Sequence, residues 1–162
     1  MALASQDGAL APVVRAAGEG CVLNVLGAPY VFKATSAETG NRFCCIEHVV
    51  PPGAGVPPHT HAHEDEAFYV LAGEVTLEGA GRSGPVRVGP GAFFFAPRGQ
   101  QHSFRNESGA EARMLVFCTP GSGIERMFTD LDGATRRSNG APPMDEVVAV
   151  AARYGVVIAP PG

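Results

Sequence analysis

Short apolar runs, separated by glycine and proline, follow one another closely up to about residue 118. The chain has 21 Gly and 14 Pro among 162 residues. This spacing is typical of many short strands joined by turns rather than of helices. The runs predict strands over 21–26, 30–35, 42–50, 67–71, 74–78, 86–88, 93–96, 102–106 and 113–118. The segments ETGN (38–41) and EGAGRSG (78–84) are predicted hairpin connections, because Gly and Asn tolerate positive φ.

After the last predicted strand the pattern changes to helical spacing. Ser122 and Glu125 have capping-box spacing and predict the start of a short helix. Its apolar face would carry Ile124, Met127, Phe128 and Leu131. A second helix is predicted from Pro143 to Tyr154, with acidic residues at its start and Gly155 at its end. The segment DGATRRSNGAPP (132–143) is predicted to be a loop between the two helices.

Composition indicates one folded domain and argues against two classes of partner. The chain is 45% hydrophobic and 17% charged, as in globular proteins, and its length suits a single domain over 1–162, with a core at about 20–118 and the helical appendage at about 122–155. A net charge of -4 and no basic run longer than Arg136-Arg137 argue against a nucleic-acid partner. No apolar run approaches the roughly 20 residues of a membrane helix, and the N-terminal segment lacks the pattern of a signal peptide. We therefore expect a cytoplasmic protein with no membrane partner.

Cysteine usage is not that of a disulfide framework or a zinc site. Cys21, Cys44, Cys45 and Cys118 show no CxxC spacing. Adjacent strand residues point to opposite faces, so Cys44 and Cys45 are poorly placed to share a metal or to pair with each other. We expect all four to be small buried hydrophobic residues in a reducing compartment.

Three of the five histidines lie at alternate positions in the segment PPHTHAHEDEAFYVLAG (57–73), directly before three carboxylates. In an extended chain His59, His61 and His63 would share a face, whereas a helix would place His59, His63 and Glu66 together. The aromatic and β-branched residues that follow, and the glycines on both sides, favour the extended form. Alternating imidazoles and a carboxylate after a turn are donors that suit a first-row divalent metal.

A second motif follows the first after 17 residues. The fixed positions of the two motifs are Gly53, His59, His61, Glu66 and Gly73, then Gly91, Pro97, Gly99, His102 and Asn106. These spacings resemble the two motifs of the cupin family, with the single pair of a monocupin, and the first motif looks most like the small quercetin-dioxygenase-like group. The resemblance implies an all-β fold, an antiparallel jelly-roll (cupin) β-barrel with the short two-helix appendage at its C-terminal end.

The resemblance also implies that four residues bind one divalent transition metal ion: His59, His61, Glu66 and His102. Three neutral imidazoles and one carboxylate leave positive charge on such an ion and, if it is six-coordinate, two open positions. The ion would polarise a carbonyl or enolate, or activate dioxygen, and Glu66 is the expected catalytic base. The same donors accept Fe, Mn, Ni, Co, Cu or Zn.

Other polar residues near the motifs receive supporting roles. His63 is expected at the pocket rim, as a hydrogen-bonding neighbour of a ligand or as a proton relay. Glu64 and Asp65 are expected to be solvated loop charges. His48 is expected to be a satisfied histidine, with pocket lining as the alternative, and Asn106 a structural hydrogen-bonding group.

Aromatic residues are expected to surround the site. If strand alternation continues from Glu66, Phe68 and Val70 face inward and provide an apolar surface that excludes water. Phe94 should point opposite to its neighbours in the run 93–95, and core packing is expected for all three phenylalanines.

Three functions are compatible with such a site. The first is a dioxygenase-like oxidoreductase, of the quercetin 2,3-dioxygenase type, acting on a small aromatic or enolisable substrate. The second is a metal-dependent isomerase, decarboxylase or dehydratase, and the third is a non-catalytic small-molecule-binding protein. Cupins resemble one another across these functions, so the sequence leaves them open. We expect a small-molecule substrate and a homodimer that pairs through the N-terminal strands at 21–35.

Overall fold

The computed structural model of the protein describes residues 10–79 and 83–159. Within these residues the strands are β1 Cys21–Val25, β2 Ala28–Ala34, β3 Cys44–Val50, β4 Gly55–His61, β5 Asp65–Ala72, β6 Val75–Gly79, β7 Val86–Val88, β8 Phe93–Ala96, β9 His102–Arg105, β10 Ala112–Thr119 and β11 Val156–Ile158. The helices are α1 Ser122–Ser138 and α2 Met144–Arg153.

The strands form two antiparallel sheets that face each other. One sheet has the order β1-β2-β3-β10-β5-β8 and the other β11-β4-β9-β6-β7. Phe68 of the first sheet packs on Phe104 of the second, with ring centroids 5.7 Å apart. The predicted antiparallel β-fold with two C-terminal helices is confirmed. Closure of the strands into one barrel is not confirmed. In the described residues side-chain packing joins the two sheets, and no backbone hydrogen-bond ladder runs between them.

Strand β5 alternates as predicted. Phe68 and Val70 are each 2% exposed, whereas Tyr69 between them is 40% exposed. In β8, Phe94 lies over Phe68 with a centroid distance of 5.7 Å. The prediction of core packing is wrong for Phe93 and Phe95, which are 66% and 50% exposed. They lie on the outer face of an edge strand, which no described element covers.

Two strands lie outside the predicted strand ranges, although an extended chain was predicted around His59 and His61 in the first of them. Strand β4 contains Pro57 and Pro58, which remove backbone donors and weaken the strand signal. Its pairing with β9 shifts register between Val56 and His59, so the prolines lie where the ladder is irregular. Strand β11 has only three residues and pairs with β4. A strand this short has too few positions to show alternation.

Helix α1 extends further than predicted. It has 17 residues and ends at Ser138, so the predicted loop over 132–143 is wrong in its first half. Asp132 accepts a hydrogen bond from the backbone N–H of Asn24 at 2.9 Å, and Thr135 accepts one from Leu26 at 3.2 Å. These contacts with the β1 end of the six-stranded sheet hold the helical conformation past Gly133. Local sequence does not encode them.

The start of α1 does not use the predicted capping box. The N-cap is Gly121, and no side chain caps it. Glu125 instead accepts a hydrogen bond from the backbone N–H of Ser36 at 2.7 Å. The predicted apolar face packs against the core, with Ile124, Met127 and Leu131 buried and Phe128 half-buried. The Glu125 carboxylate therefore makes a tertiary contact instead of the capping contact that local spacing predicted.

Three cysteines are buried as predicted, but Cys21 is exposed because β1 lies at the edge of its sheet. The hairpin at 38–41 joins the antiparallel strands β2 and β3, and residues 80–82 of the second predicted hairpin lie outside the described residues. Neither described helix is long and apolar enough to cross a membrane. Pairing of two copies through residues 21–35 stays a prediction.

Candidate metal centre

The structure brings the four predicted ligands together. His59 and His61 share one face of β4, because alternate residues of a strand point the same way. A turn then leads into β5, which presents Glu66. His102 begins β9 and lies opposite His59 in the β4–β9 pairing. All four side chains are buried, so the cluster lies inside the fold.

The donor atoms converge on the carboxylate. Glu66 Oε2 lies 2.8 Å from His102 Nε2, 3.2 Å from His61 Nε2 and 3.8 Å from His59 Nε2. Taken together, one donor atom from each residue lies within 4.8 Å of the others.

In His59 and His102, the contact made by Nδ1 determines which ring nitrogen is free to bind a metal. His59 Nδ1 lies 2.9 Å from the carbonyl oxygen of Pro57, and His102 Nδ1 lies 3.1 Å from that of Gln100. A carbonyl oxygen only accepts, so each Nδ1 must carry the proton and donate. The Nε2 lone pairs of both rings are left facing the cluster, as metal ligation requires.

These residues fit a divalent metal ion. Two atoms that each lie about 2.0–2.2 Å from one ion are at most about 4.4 Å apart, and the donor separations to Glu66 Oε2 of 2.8–3.8 Å satisfy this limit. His61 Nε2 is buried and has no hydrogen-bond partner in the described chain. Three imidazoles and a carboxylate suit several first-row metals, so the donor set does not select among them.

Electrostatics favour a charged cluster when no metal is bound. Burial opposes ionisation of Glu66, but the three imidazoles hold its pKa well below the usual value. Burial likewise lowers the pKa of His61, yet the carboxylates of Glu64 and Glu66 raise it to about 9. A metal ion would replace the proton of His61, since a ligating imidazole must be neutral.

Glu64 is not the solvated loop charge that the sequence predicts. It is 2% exposed, and its Oε2 lies 3.6 Å from His61 Nδ1. Its carboxylate also lies against Gly123 in the first turn of α1, where a Cβ would collide with it. The positive end of a helix dipole stabilises a carboxylate in this position. Sequence reasoning missed this role because it depends on where α1 docks.

Asp65 and His63 lie outside the cluster. Asp65 accepts hydrogen bonds from the backbone and the guanidinium of Arg98, and these lower its pKa to about 2. His63 is exposed. Its ring lies over Gly155, where a Cβ would come within 2.7 Å of the imidazole Cδ2. Neither side chain joins the four converging donors.

Cys118 contacts the other carboxylate oxygen. Its Sγ lies 3.7 Å from Glu66 Oε1. The neighbouring Cys44 and burial raise the pKa of Cys118 well above its usual value, so the thiol keeps its proton and donates a hydrogen bond to the carboxylate. The residues are direct partners in the β10–β5 pairing. Sequence reasoning treated Cys118 only as a core residue, since this contact needs the strand order.

A cavity of about 230 Å³ opens beside the cluster. His59, His61 and Glu66 line it together with Phe68, and most of its remaining wall is aliphatic or aromatic. His48, which the sequence placed either in the core or at the pocket, is 4% exposed and also lines this cavity. The cluster therefore faces an apolar chamber.

Phe94 and Asn106, which were also predicted near the site, lie around it. Phe94 lies 6.4 Å from His102, measured between ring centroids. Asn106 is fully buried and donates to the carbonyl oxygens of Val50 and Ala110, each at 2.8 Å. It thus ties the end of β3 to the loop before β10.

Two facing antiparallel sheets around a buried three-histidine, one-glutamate cluster define a β-fold protein with a possible metal centre. Residues 46–118 match the profile of the family described as the cupin domain. The chain belongs to the cupin superfamily.

Three relatives carry names that bear on function. The quercetin 2,3-dioxygenase of Bacillus subtilis (strain 168) is 30% identical over 115 residues, which cover 71% of this chain and 33% of that protein. The polyketide synthase CurC of Streptomyces cyaneus is 30% identical over 60% of this chain and 58% of its own length. The structure of the polyketide cyclase RemF from Streptomyces resistomycificus matches 60% of this chain and 68% of its own, with 29% identity and a TM-score of 0.52. The chain thus spans a third of the first curated relative and under two thirds of the second.

Proposed function

We propose that this cupin is a metal-dependent enzyme that acts on a small aromatic or enolisable molecule inside its cavity. The observation that carries the proposal is the shared position of His59, His61 and Glu66, which belong both to the converging donor cluster and to the cavity wall. A substrate in the cavity would therefore meet the metal site directly. A bound metal ion would supply Lewis-acid and redox chemistry.

The protein side of the site suits removal of a proton from a phenol or enol. Glu66 lines the cavity, so its carboxylate lies within reach of a substrate bound there and would accept the substrate proton. Its Oε1 is held by the Cys118 thiol, which limits rotation of the carboxylate. Phe68 and the aliphatic wall exclude water around the reacting group.

Dioxygenation is the first candidate reaction. Its support is the similarity to the quercetin 2,3-dioxygenase over 71% of this chain. In this reaction both atoms of dioxygen enter the organic product, so no separate reductant is needed.

Ring closure or isomerisation without dioxygen is the second candidate. Its support is the similarity to the polyketide cyclase RemF, with 29% identity and a TM-score of 0.52. Polarisation of a carbonyl and proton transfer by Glu66 would be sufficient for this chemistry.

An oxygen-uptake screen separates the candidates. Protein loaded with Fe, Mn, Ni or Co is incubated in air and under argon with catechols, naphthols, flavonols and cyclic diketones, and products are identified by mass spectrometry. Uptake of ¹⁸O-labelled dioxygen with both labelled atoms recovered in the organic products supports dioxygenation, and turnover under argon supports the second candidate. A ligand-induced rise in Tm without turnover in either atmosphere would overturn both in favour of a binding protein.

His63→Ala is a suitable control for this screen and His102→Ala the test variant. Both replace one imidazole by a methyl group, but only His102 belongs to the donor cluster. Activity that survives in His102→Ala would contradict metal-dependent catalysis at this site.

A further inference from the structure

A second pair of polar side chains lines the same cavity. Tyr30 of β2 and His48 of β3 are direct partners across the two strands. Their rings stack with centroids 4.0 Å apart and planes inclined by 17°. Both residues line the cavity that His59, His61 and Glu66 also line, and neither belongs to the donor cluster.

The pair is held by aromatic contacts from two directions. The Phe128 ring of α1 meets Tyr30 edge-on at a centroid distance of 4.9 Å. The Phe104 ring of the opposite sheet meets His48 edge-on at 5.9 Å. Contacts of this kind restrict the rotation of both rings. The polar atoms of the pair are therefore presented in a defined place.

Strand register offsets the backbone of the pair from that of the metal cluster along the sheet. Glu66 pairs with Cys118, and Cys118 pairs with Cys44. His48 is four residues further along β3 than Cys44. At about 3.4 Å per residue, this is about 14 Å along the sheet. The cavity thus has a polar group at each end and an apolar wall between them.

One buried polar atom at this end lacks a partner in the described residues. His48 is 4% exposed, and its Nδ1 is buried without a hydrogen bond to any residue in the described ranges. A buried polar atom of this kind costs free energy unless another group satisfies it. No Lys or Arg of the described chain lines the cavity, so the protein offers no positive side chain to a carboxylate or phosphate there.

Both side chains are neutral. Burial lowers the pKa of His48 to about 4, so the imidazole is uncharged near pH 7. Burial, and then the charge of Glu66, raise the pKa of Tyr30 well above its usual value, so the phenol keeps its proton. One neutral imidazole and one hydroxyl suit a neutral oxygen substituent.

We propose that Tyr30 and His48 bind a neutral hydroxyl or carbonyl oxygen at the end of the substrate opposite to the metal. This inference rests on the proposed function and narrows its substrate to an uncharged molecule with an oxygen function at each end. The cavity of about 230 Å³ lies below the roughly 300–1,000 Å³ of sites for drug-sized ligands. It therefore takes one or two rings.

Three probes with one scaffold test the proposal. Naphthalene-2,3-diol carries only the oxygens for the metal end, its 6-hydroxy derivative adds the distal oxygen, and its 6-sulfonate adds a distal charge. Each is titrated calorimetrically into zinc-loaded protein. We expect the 6-hydroxy probe to bind about five- to tenfold more tightly than the diol, as for one or two net hydrogen bonds, and the sulfonate to bind more weakly than both.

Variants of Tyr30 and His48 test whether these two side chains cause the preference for the 6-hydroxy probe. Tyr30→Phe removes only the hydroxyl, and His48→Phe keeps a stacking ring without its nitrogens. The preference for the 6-hydroxy probe should fall below about twofold in each variant. Tyr69→Phe is the matched control, because Tyr69 is 40% exposed on the outer face, and its preference should equal that of the unsubstituted protein. An unchanged preference in Tyr30→Phe and His48→Phe, or sulfonate binding as tight as that of the 6-hydroxy probe, would overturn the proposal.

A protein that does not bind zinc would give a result that can be distinguished from failure of the Tyr30–His48 proposal. If the protein retains no zinc, the proposed function fails, and the polar pair is then tested on the metal-free protein with naphthalene and 2-naphthol. Tighter binding of 2-naphthol that is lost in Tyr30→Phe but kept in Tyr69→Phe supports the pair. Equal binding of the two probes, or a preference that Tyr30→Phe retains, contradicts it. If zinc is retained and the diol does not bind, the substrate class is wrong although the metal site stands.

Discussion

Glu64 Oε2 lies 3.6 Å from His61 Nδ1, on the edge of the imidazole opposite to the Nε2 that faces the cluster. The two atoms are too far apart for a hydrogen bond, but the negative charge of a carboxylate here favours the Nδ1 proton and increases the basicity of a ligating imidazole. The Glu64→Gln variant keeps the shape and removes the charge. We expect its metal affinity to fall about 10- to 100-fold, as measured by competition with a chromophoric chelator.

Asp65→Asn is the control for this variant, because it makes the same change one residue further on, in a carboxylate paired with Arg98. Its metal affinity should remain that of the unsubstituted protein. Equal affinities in Glu64→Gln and Asp65→Asn would show that Glu64 does not support the metal site.

Helix α1 leaves space for Glu64 only because residue 123 is glycine. In Gly123→Ala the new Cβ would collide with the Glu64 carboxylate, so either the helix or the carboxylate must move. We expect both Tm and metal affinity to fall. Gly133→Ala is the matched control in the same helix, since its Cβ would meet only Arg137 Nη1 at 3.4 Å. That substitution should leave metal affinity unchanged and should stabilise the helix by about 1 kcal/mol, because alanine has a higher helix propensity than glycine.

His102 lies closest to the shared carboxylate oxygen, at 2.8 Å. Its replacement by alanine removes one of the four donors, and we expect metal content after dialysis to fall sharply, as measured by plasma emission spectrometry. His63→Ala, which changes an exposed histidine of the same segment, should retain its metal. Stoichiometric metal in His102→Ala with an unchanged absorption spectrum of the cobalt-loaded protein would mean that the ligand assignment is wrong.

Cys118 is expected to hold Glu66 through its thiol. Cys118→Val keeps an apolar side chain of similar size and removes the donor to Glu66 Oε1. The metal should remain bound, while the absorption spectrum of the cobalt-loaded protein should shift because the carboxylate can rotate. Cys45→Val, at a buried position that pairs with Phe117 on the neighbouring strand, should leave that spectrum as it is. A shift in neither variant would leave Cys118 as a packing residue only.

The metal-free protein should lose stability as the pH rises. The pKa of His61 increases from 6.5 to about 9 on folding, so its contribution to the free energy of unfolding is complete below about pH 6.5 and is lost as the pH rises through about 9. Metal binding has the opposite dependence, because it releases that proton. The difference in Tm between metal-loaded and metal-free protein should therefore grow from pH 6.5 to 9. A constant difference would contradict a protonated His61 in the metal-free cluster.

Much of the fold was predictable because strands have a two-residue period. The alternation from Glu66 through Phe68 to Val70 correctly indicated which side chains face inward. The same period placed His59 and His61 on one face. Prediction failed where pairing partners, not local pattern, determine the structure. Proline-containing β4 is a strand because β9 and β11 flank it, and α1 continues past Gly133 because Asp132 and Thr135 bind the end of β1.

The sequence by itself indicated the four converging donors through its resemblance to cupins, which implies His59, His61, Glu66 and His102, whereas spacing alone left His63 open. Only the tertiary structure decided what surrounds them. Docking of α1 buries Glu64 beside His61, the order of β5 and β10 brings Cys118 to Glu66, and the register of β2 and β3 stacks Tyr30 on His48. The physical reason is that the ligands belong to two short sequence motifs with fixed spacing, whereas these contacts join segments that meet only when the sheets and the helix pack.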